Sequence, residues 1–169
     1  MTAARFAAQD PNETVIGVAQ AAVRRHSGLL VSHGLGSCVA IILYDPSTQT
    51  AGLAHVLLPN ESYSRERSRV AKFAESAVPH LIAEMRRAGA RGAMHARLVG
   101  GASMFGALLT TTGINMGSRN VAAARAALAR AGIAISGEDV GGDFGRTVSV
   151  TVADGVVTVQ SVDRGTREL

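Results

Sequence analysis

Apolar residues gather in short runs punctuated by glycine, proline and small polar residues, and between these runs lie two stretches of helical spacing. Val39-Ala40-Ile41-Ile42-Leu43-Tyr44 and Ala51-Gly52-Leu53-Ala54-His55-Val56-Leu57-Leu58-Pro59 are strand-like, and Asp45-Pro46-Ser47-Thr48-Gln49-Thr50 between them has turn chemistry, so they predict a hairpin. Upstream, Thr14 to Ala22 reads as a first strand through Val15-Ile16-Gly17-Val18, and Leu29-Leu30-Val31 leads into Ser32. Arg65 to Ala88 predicts a helix, because Val70, Phe73, Ala74, Ala77, Leu81 and Met85 recur at steps of three and four and form one stripe to face a sheet. Pro79 lacks the helical donor of its position and predicts a kink or two abutting helices. Met94 to Val99 is a short strand ending in Gly100-Gly101, whose freedom suits a plain turn or a close backbone approach. Met104 to Leu109 is a brief helical turn, and Asn115 to Asn120 opens a helix over Val121 to Ala131, closed by Gly132. Ile133-Ala134-Ile135 is a strand, and alternation on both sides of Asp154-Gly155, in Thr147 to Val152 and Val156 to Val159, predicts a second hairpin. The sum is an α+β fold, a single domain in which a mixed β-sheet, in one layer or two stacked, carries flanking helices on its outside.

Composition narrows the class. A chain of 169 residues, 47% hydrophobic, suits one domain with a substantial core, with residues 1–13 as a flexible tail and 14–169 as the domain. The start carries Arg5, Asp10 and Glu13 with no sustained apolar stretch, so neither a secretory signal nor a membrane anchor is expected, and no later run approaches a membrane span. The expectation is a cytoplasmic protein, consistent with a lone thiol that needs a reducing compartment. The net charge of +4 suits an acidic partner without demanding one. Its clearest local source, Arg65-Glu66-Arg67-Ser68-Arg69 with Lys72, reads as a solvated helix face. Nucleic acid is disfavoured, since four Phe, two Tyr and no Trp offer few platforms for stacking bases.

The candidate chemistry centres on Gly34-Leu35-Gly36-Ser37-Cys38, where the only cysteine sits as a glycine-rich turn feeds a strand. Backbone N–H groups of such a turn can stabilise a thiolate and cradle an oxyanion. Taken alone, a cysteine beside a strand is a small buried hydrophobe. His55 changes that picture: antiparallel pairing about the turn brings the start of the first strand and the end of the second together, thiol beside imidazole. A core histidine satisfied by a carbonyl is the bland alternative. No His/Cys/Asp/Glu set has metal-ligand spacing, and no cofactor is expected.

Six short motifs, in order and spacing, resemble the CheD family, the chemoreceptor glutamine deamidases of bacterial chemotaxis. They are Gly34-Leu35-Gly36-Ser37-Cys38-Val39-Ala40, Leu43-Tyr44-Asp45, Gly52 to Pro59, Gly100-Gly101-Ala102-Ser103-Met104-Phe105, Gly117-Ser118-Arg119-Asn120 and Gly141-Gly142-Asp143-Phe144-Gly145-Arg146. The resemblance implies Cys38 as nucleophile and His55 as its base. It also implies a hydroxyl six residues before the cysteine, where the family has threonine and this chain has Ser32, which keeps the hydroxyl and drops the stiffening methyl. It implies a sandwich similar to the catalytic domain of cytotoxic necrotizing factor toxins, and as substrate the glutamine side chains of a chemoreceptor cytoplasmic domain. The CheC phosphatase is the implied partner, and methylesterase activity on the same receptor sites a related reaction. Two other readings of the residues stand beside this one: a binding module whose effect survives Cys38→Ala, and a redox-sensing thiol. Fast alkylation at neutral pH that slows in His55→Ala marks a Cys-His pair, whereas a thiol near the ordinary ~8.5 counts against both activated readings.

Overall fold

A computed structural model describes residues 10–104 and 115–169. In chain order the strands are β1 (Glu13–Val15), β2 (Ala21–Arg25), β3 (Leu29–Leu35), β4 (Val39–Asp45), β5 (Thr50–Val56), β6 (His95–Gly100), β7 (Ala134–Val140), β8 (Arg146–Thr151), β9 (Val157–Ser161) and β10 (Gly165–Glu168). The helices are α1 (Ala74–Arg87) and α2 (Met116–Arg130). The predicted hairpin is β4 and β5, paired from Val39 opposite Val56 to Asp45 opposite Thr50. It forms the middle of a five-stranded sheet of order β2-β5-β4-β6-β7; the second sheet has order β1-β3-β8-β9-β10. Each sheet is mixed, through the parallel pairs β1 with β3 and β6 with β7.

Every residue of β5, and every residue of β4 except half-buried Tyr44, is buried. Period two divides these side chains between two cores. Val39, Ile41 and Leu43 of β4, with Ala54 and Val56 of β5, join Ala77, Leu81 and Met85 of α1 and Val121, Ala124 and Leu128 of α2. Ala40 and Ile42, with Leu53, face the other way and meet Leu30, Val148, Val150 and Val159 of the second sheet. The result is an α+β sandwich of two stacked mixed sheets with both helices on the outer face of one. Among the described residues, no helix is long and apolar enough to cross a membrane.

One buried charge pins the far end of the central hairpin. Fully buried Asp45 accepts from the Ser47 N–H (2.9 Å) and hydroxyl (2.6 Å), the Thr48 hydroxyl (2.9 Å) and the N–H groups of Arg91 and Gly92 (2.8 Å each). Burial alone would raise its pKa, but these bonds, led by Ser47, hold the carboxyl well below the usual carboxylate range. A depressed carboxylate pKa contributes stability that is full above the unfolded value of ~3.9 and lost as pH falls through the folded one. Asp45→Asn therefore lowers unfolding free energy by about 3 kcal/mol at pH 7 in urea titrations, and by less at pH 3.

Several sequence expectations need correction. Thr14 to Ala22 is not one strand: the chain turns at Gly17 to Gln20, where Gln20 N–H donates to the Gly17 carbonyl (3.1 Å) and Ala19 takes a φ of 61°, so β1 and β2 lie in different sheets. The helix expected from Arg65 begins only at Ala74. Ahead of it the Glu66 carboxylate ties back the Ser68 N–H (2.7 Å), and the Lys72 carbonyl accepts from the Leu57 N–H (2.9 Å), so these backbone groups are spent on a loop. The Arg65-to-Arg69 cluster thus sits on that exposed loop, not on a helix face. Val70 of the expected stripe is 44% exposed, while Phe73, Ala74, Ala77, Leu81 and Met85 are buried. Pro79 lies within one continuous helix, so the alternative of two abutting helices is not adopted. Met104 to Leu109 falls, after Met104, outside the described residues. The strand expected at Ile133 to Ile135 runs on through polar Ser136 to Asp139, and the last hairpin turns over five residues, Val152 to Val156, with Gly155 at φ 76°.

Candidate functional site

The parity that builds the two cores also aims the candidate residues. Cys38 precedes β4 and joins Ala40 and Ile42 in the core between the sheets. His55 stands opposite Ala40 in the ladder and shares that face. Ser32, two residues after Leu30 on β3, points into the same space from the opposing sheet and is fully buried. All three sequence-singled residues thus converge on the inter-sheet face at one end of the sandwich. Cys38 is 8% and His55 1% exposed.

Hydrogen bonds fix the tautomer of the imidazole. The Ser32 hydroxyl donates to the Ile16 carbonyl at 2.8 Å, which uses its single proton. Its oxygen lies 2.8 Å from His55 Nδ1, so Nδ1 carries the proton and donates to it. Nε2 is then the ring's lone-pair nitrogen, and among the described residues it is buried with no hydrogen-bond partner, Cys38 Sγ included. An acceptor left bare on the face that a thiol shares suits a general base awaiting a proton, and such bonds often tighten only when substrate binds. Burial pushes the Cys38 thiol up, partly offset by its own backbone N–H, and burial pushes the His55 imidazole down, partly offset by the Ile16 carbonyl. The resting pair is therefore thiol and neutral imidazole, not an ion pair. A sensing thiol depends on exposure and a low pKa, and Cys38 has neither, which weighs against the redox reading; the same raised thiol counts against a preformed thiolate, so a Cys38–His55 pair rests on the shared face and not on the thiol's acidity.

The turn before Cys38 is held from below. The Gly101 N–H donates to the Cys38 carbonyl and the Ala102 N–H to the Gly36 carbonyl, each at 2.8 Å, while the Ser37 and Cys38 N–H groups donate to no described backbone carbonyl. Gly100, at φ 113°, is a close approach and not a plain turn: a Cβ there would overlap the Cys38 carbonyl oxygen. Gly100→Ala is expected to displace the cysteine turn and to lower the unfolding free energy by roughly 2 kcal/mol, read by urea denaturation.

Asn120 was not singled out as a functional residue, although it lies in a quoted motif. Fully buried on α2, its Nδ2 donates to the Ser37 carbonyl and the Leu57 carbonyl at 2.9 Å each. Its polarity within an otherwise apolar helix face was the only signal. The Ile16 carbonyl, a backbone atom, gave none.

Of two open grooves, the first reaches the turn at Gly34. One of about 480 Å³ is lined by Gly34, Met104, Asp143, Phe144 and Arg146 among others, and one of about 520 Å³ by Val18, Ala19, Leu57, Arg69 and Lys72 among others. Neither includes Cys38. Met104, 47% exposed, lies against Gly36 and forms the rim between the first groove and the turn. Phe144 is fixed between two guanidiniums, Arg146 at 4.1 Å and Arg164 at 4.5 Å from its ring centre, and Arg146 is itself paired to Asp139 at 3.1 Å.

Fold and site together define an α+β sandwich domain carrying a thiol, a hydroxyl-oriented imidazole and a glycine-rich turn on one inter-sheet face. Residues 57–161 match the family described as CheD chemotactic sensory transduction. The chain is 39% identical over 153 residues to the probable chemoreceptor glutamine deamidase CheD of Caldanaerobacter subterraneus subsp. tengcongensis, covering 90% of this chain and 94% of that one. Against the probable deamidase of the same description from Moorella thermoacetica it is 40% identical over 161 residues, covering 91% and 93%. The chemoreceptor glutamine deamidase CheD of Thermotoga maritima is 37% identical over 152 residues, covering 89% and 93%. The chain belongs to the CheD family.

Proposed function

We propose that this protein is a protein-glutamine deamidase that converts glutamine side chains of chemoreceptor cytoplasmic domains to glutamate, using Cys38, His55 and Ser32. The observation that carries the reading is the bare Nε2 of an imidazole whose other nitrogen is committed to Ser32, on the same face as the only thiol. His55 Nε2 takes the Cys38 proton as Sγ attacks the carboxamide carbon, giving a tetrahedral oxyanion beside the Ser37 and Cys38 N–H groups. The imidazolium returns that proton to the departing nitrogen, the C–N bond breaks, and ammonia leaves a thioester. Nε2 then deprotonates a water that attacks the thioester, the C–S bond breaks, the sulfur regains its proton, and a glutamate carboxylate remains. Water is the only co-reactant. Such chemistry on a receptor's inner domain belongs in the cytoplasm.

The second reading, a regulatory module acting on a CheC phosphatase or on the receptor without catalysis, draws on one feature: Cys38 lines neither of these two grooves. Mass spectrometry of receptor cytoplasmic fragments separates the two. A gain of about one dalton per modified glutamine with the native protein and none with Cys38→Ala supports the deamidase. No gain from either, with fragment or CheC binding intact, supports the module.

A further inference from the structure

The β4–β5 ladder stops short of the chemistry. Its last pair is Val39 with Val56, and continued pairing would set Cys38 against Leu57 and tie the cysteine turn to the partner strand. Instead the Leu57 N–H goes to the Lys72 carbonyl at 2.9 Å, and the chain around Ser37 curls back toward Gly34. At this fork the carbonyls of Ser37 and Leu57 face the same side chain. We infer that Asn120 is a positioning residue for the thiol and the imidazole, one carboxamide nitrogen that clamps the residue before Cys38 to the residue two after His55.

The inference rests on the reading that Cys38 and His55 form the reactive pair. One Nδ2 has two protons, and both are used, at 2.9 Å to each carbonyl. The two arms of the fork are thereby held at a fixed separation by a side chain that belongs to neither. Oδ1 of the same group is buried without a partner among the described residues, which opposes stability, so the residue's contribution lies in its two donors. The carrier is rigid. Asn120 sits one turn into α2, whose start is capped by the Asn115 side chain accepting from the Ser118 N–H at 3.0 Å. A Cβ on Gly117 would overlap the carbonyls of Gly101 and Ala102, so the helix start presses directly on the strand end that supports the cysteine turn. Opposed side chains that must react need placement to within a fraction of an ångström, and an error of about 1 Å lowers turnover about 100-fold.

The test compares Asn120→Asp, which keeps the shape and lacks both donors, and Asn120→Ala, with Ala127→Gly as a control that loosens the same helix away from the fork. Cys38→Ala fixes the background. Ammonia release from a receptor fragment gives kcat and KM, melting gives stability, and iodoacetamide gives the Cys38 alkylation rate against pH. Both Asn120 variants are expected to lose about 30- to 100-fold in kcat with KM changed less than about threefold, and to show an altered alkylation profile, while Ala127→Gly keeps wild-type kcat and profile despite its melting loss. Asn120 variants whose kcat and alkylation profile match those of Ala127→Gly would overturn the positioning role while leaving the deamidase reading intact. Ammonia release that survives in Cys38→Ala overturns that reading itself, and the positioning role with it.

Discussion

Cys38→Ser is expected to remove deamidation, with turnover about 1,000-fold or more below wild type, although the substitution changes a single atom. The base available to it decides the outcome. His55 is held below its ordinary pKa by burial, so it is a weak proton acceptor at rest. It can still serve a thiol, because a thiol is far more acidic than a hydroxyl and sulfur is intrinsically nucleophilic. A serine hydroxyl is a far weaker acid and a poorer nucleophile. The fold should tolerate the change: Cys38 packs at the edge of the inter-sheet core beside Leu35 and Ala40, and a hydroxyl there costs roughly 1–2 kcal/mol. Ammonia release measured beside a thermal melt checks both halves. A folded Cys38→Ser with more than a tenth of wild-type turnover would rule out sulfur as the nucleophile.

The parts of this fold that were legible in the sequence are those where a local pattern and the final packing agree. The β4–β5 hairpin is announced by two apolar runs around Asp45 to Thr50, and its antiparallel register sets His55 opposite Ala40, on the face that Cys38 joins just before the ladder begins. The α1 stripe from Phe73 to Met85 and the Asn115 start and Gly132 stop of α2 are local signals as well. What escaped depends on groups distant in the chain. β10 is exposed along its whole length and pairs with β9 through backbone alone, so no hydrophobic period marks it. The second half of β7 is polar because Glu138 and Asp139 serve Arg125, Arg146 and Arg167, which the run Ser136 to Asp139 does not reveal. At the site, the residues with distinctive chemistry were visible, and their supports were not. The Ile16 carbonyl that sets the Ser32 hydroxyl, and the two carbonyls gathered by Asn120, become neighbours only once β1, β3, β5 and α2 are packed.

Removing the imidazole should be nearly as damaging as removing sulfur, and it should erase a limb of the pH profile. His55→Ala is expected to lower turnover by about 10²- to 10⁴-fold, since no other described side chain hydrogen-bonds Ser32 from that side or offers a base to Cys38. In the native protein kcat/KM should fall on the acid side only below the ordinary imidazole value of ~6.5, because burial lowers the pKa of His55, and in His55→Ala this limb should vanish. Ser32→Ala should act through the ring: Nδ1–H loses its acceptor, the tautomer that bares Nε2 is no longer enforced, and turnover drops by about tenfold or more. Ser32→Thr keeps the hydroxyl and adds one methyl, and it is expected to retain most of the wild-type turnover. Stability carries the same signature with the signs fixed by linkage. Below ~6.5 the unfolded chain binds a proton that buried His55 resists, so stability falls with acid; above ~8.5 unfolded Cys38 releases a proton that the folded thiol retains, so it falls with alkali. Urea titrations across that range should therefore show a maximum between the two values, the acid slope reduced in His55→Ala and the alkaline slope reduced in Cys38→Ala. An acid slope in kcat/KM that persists unchanged in His55→Ala would assign the titrating base to another residue.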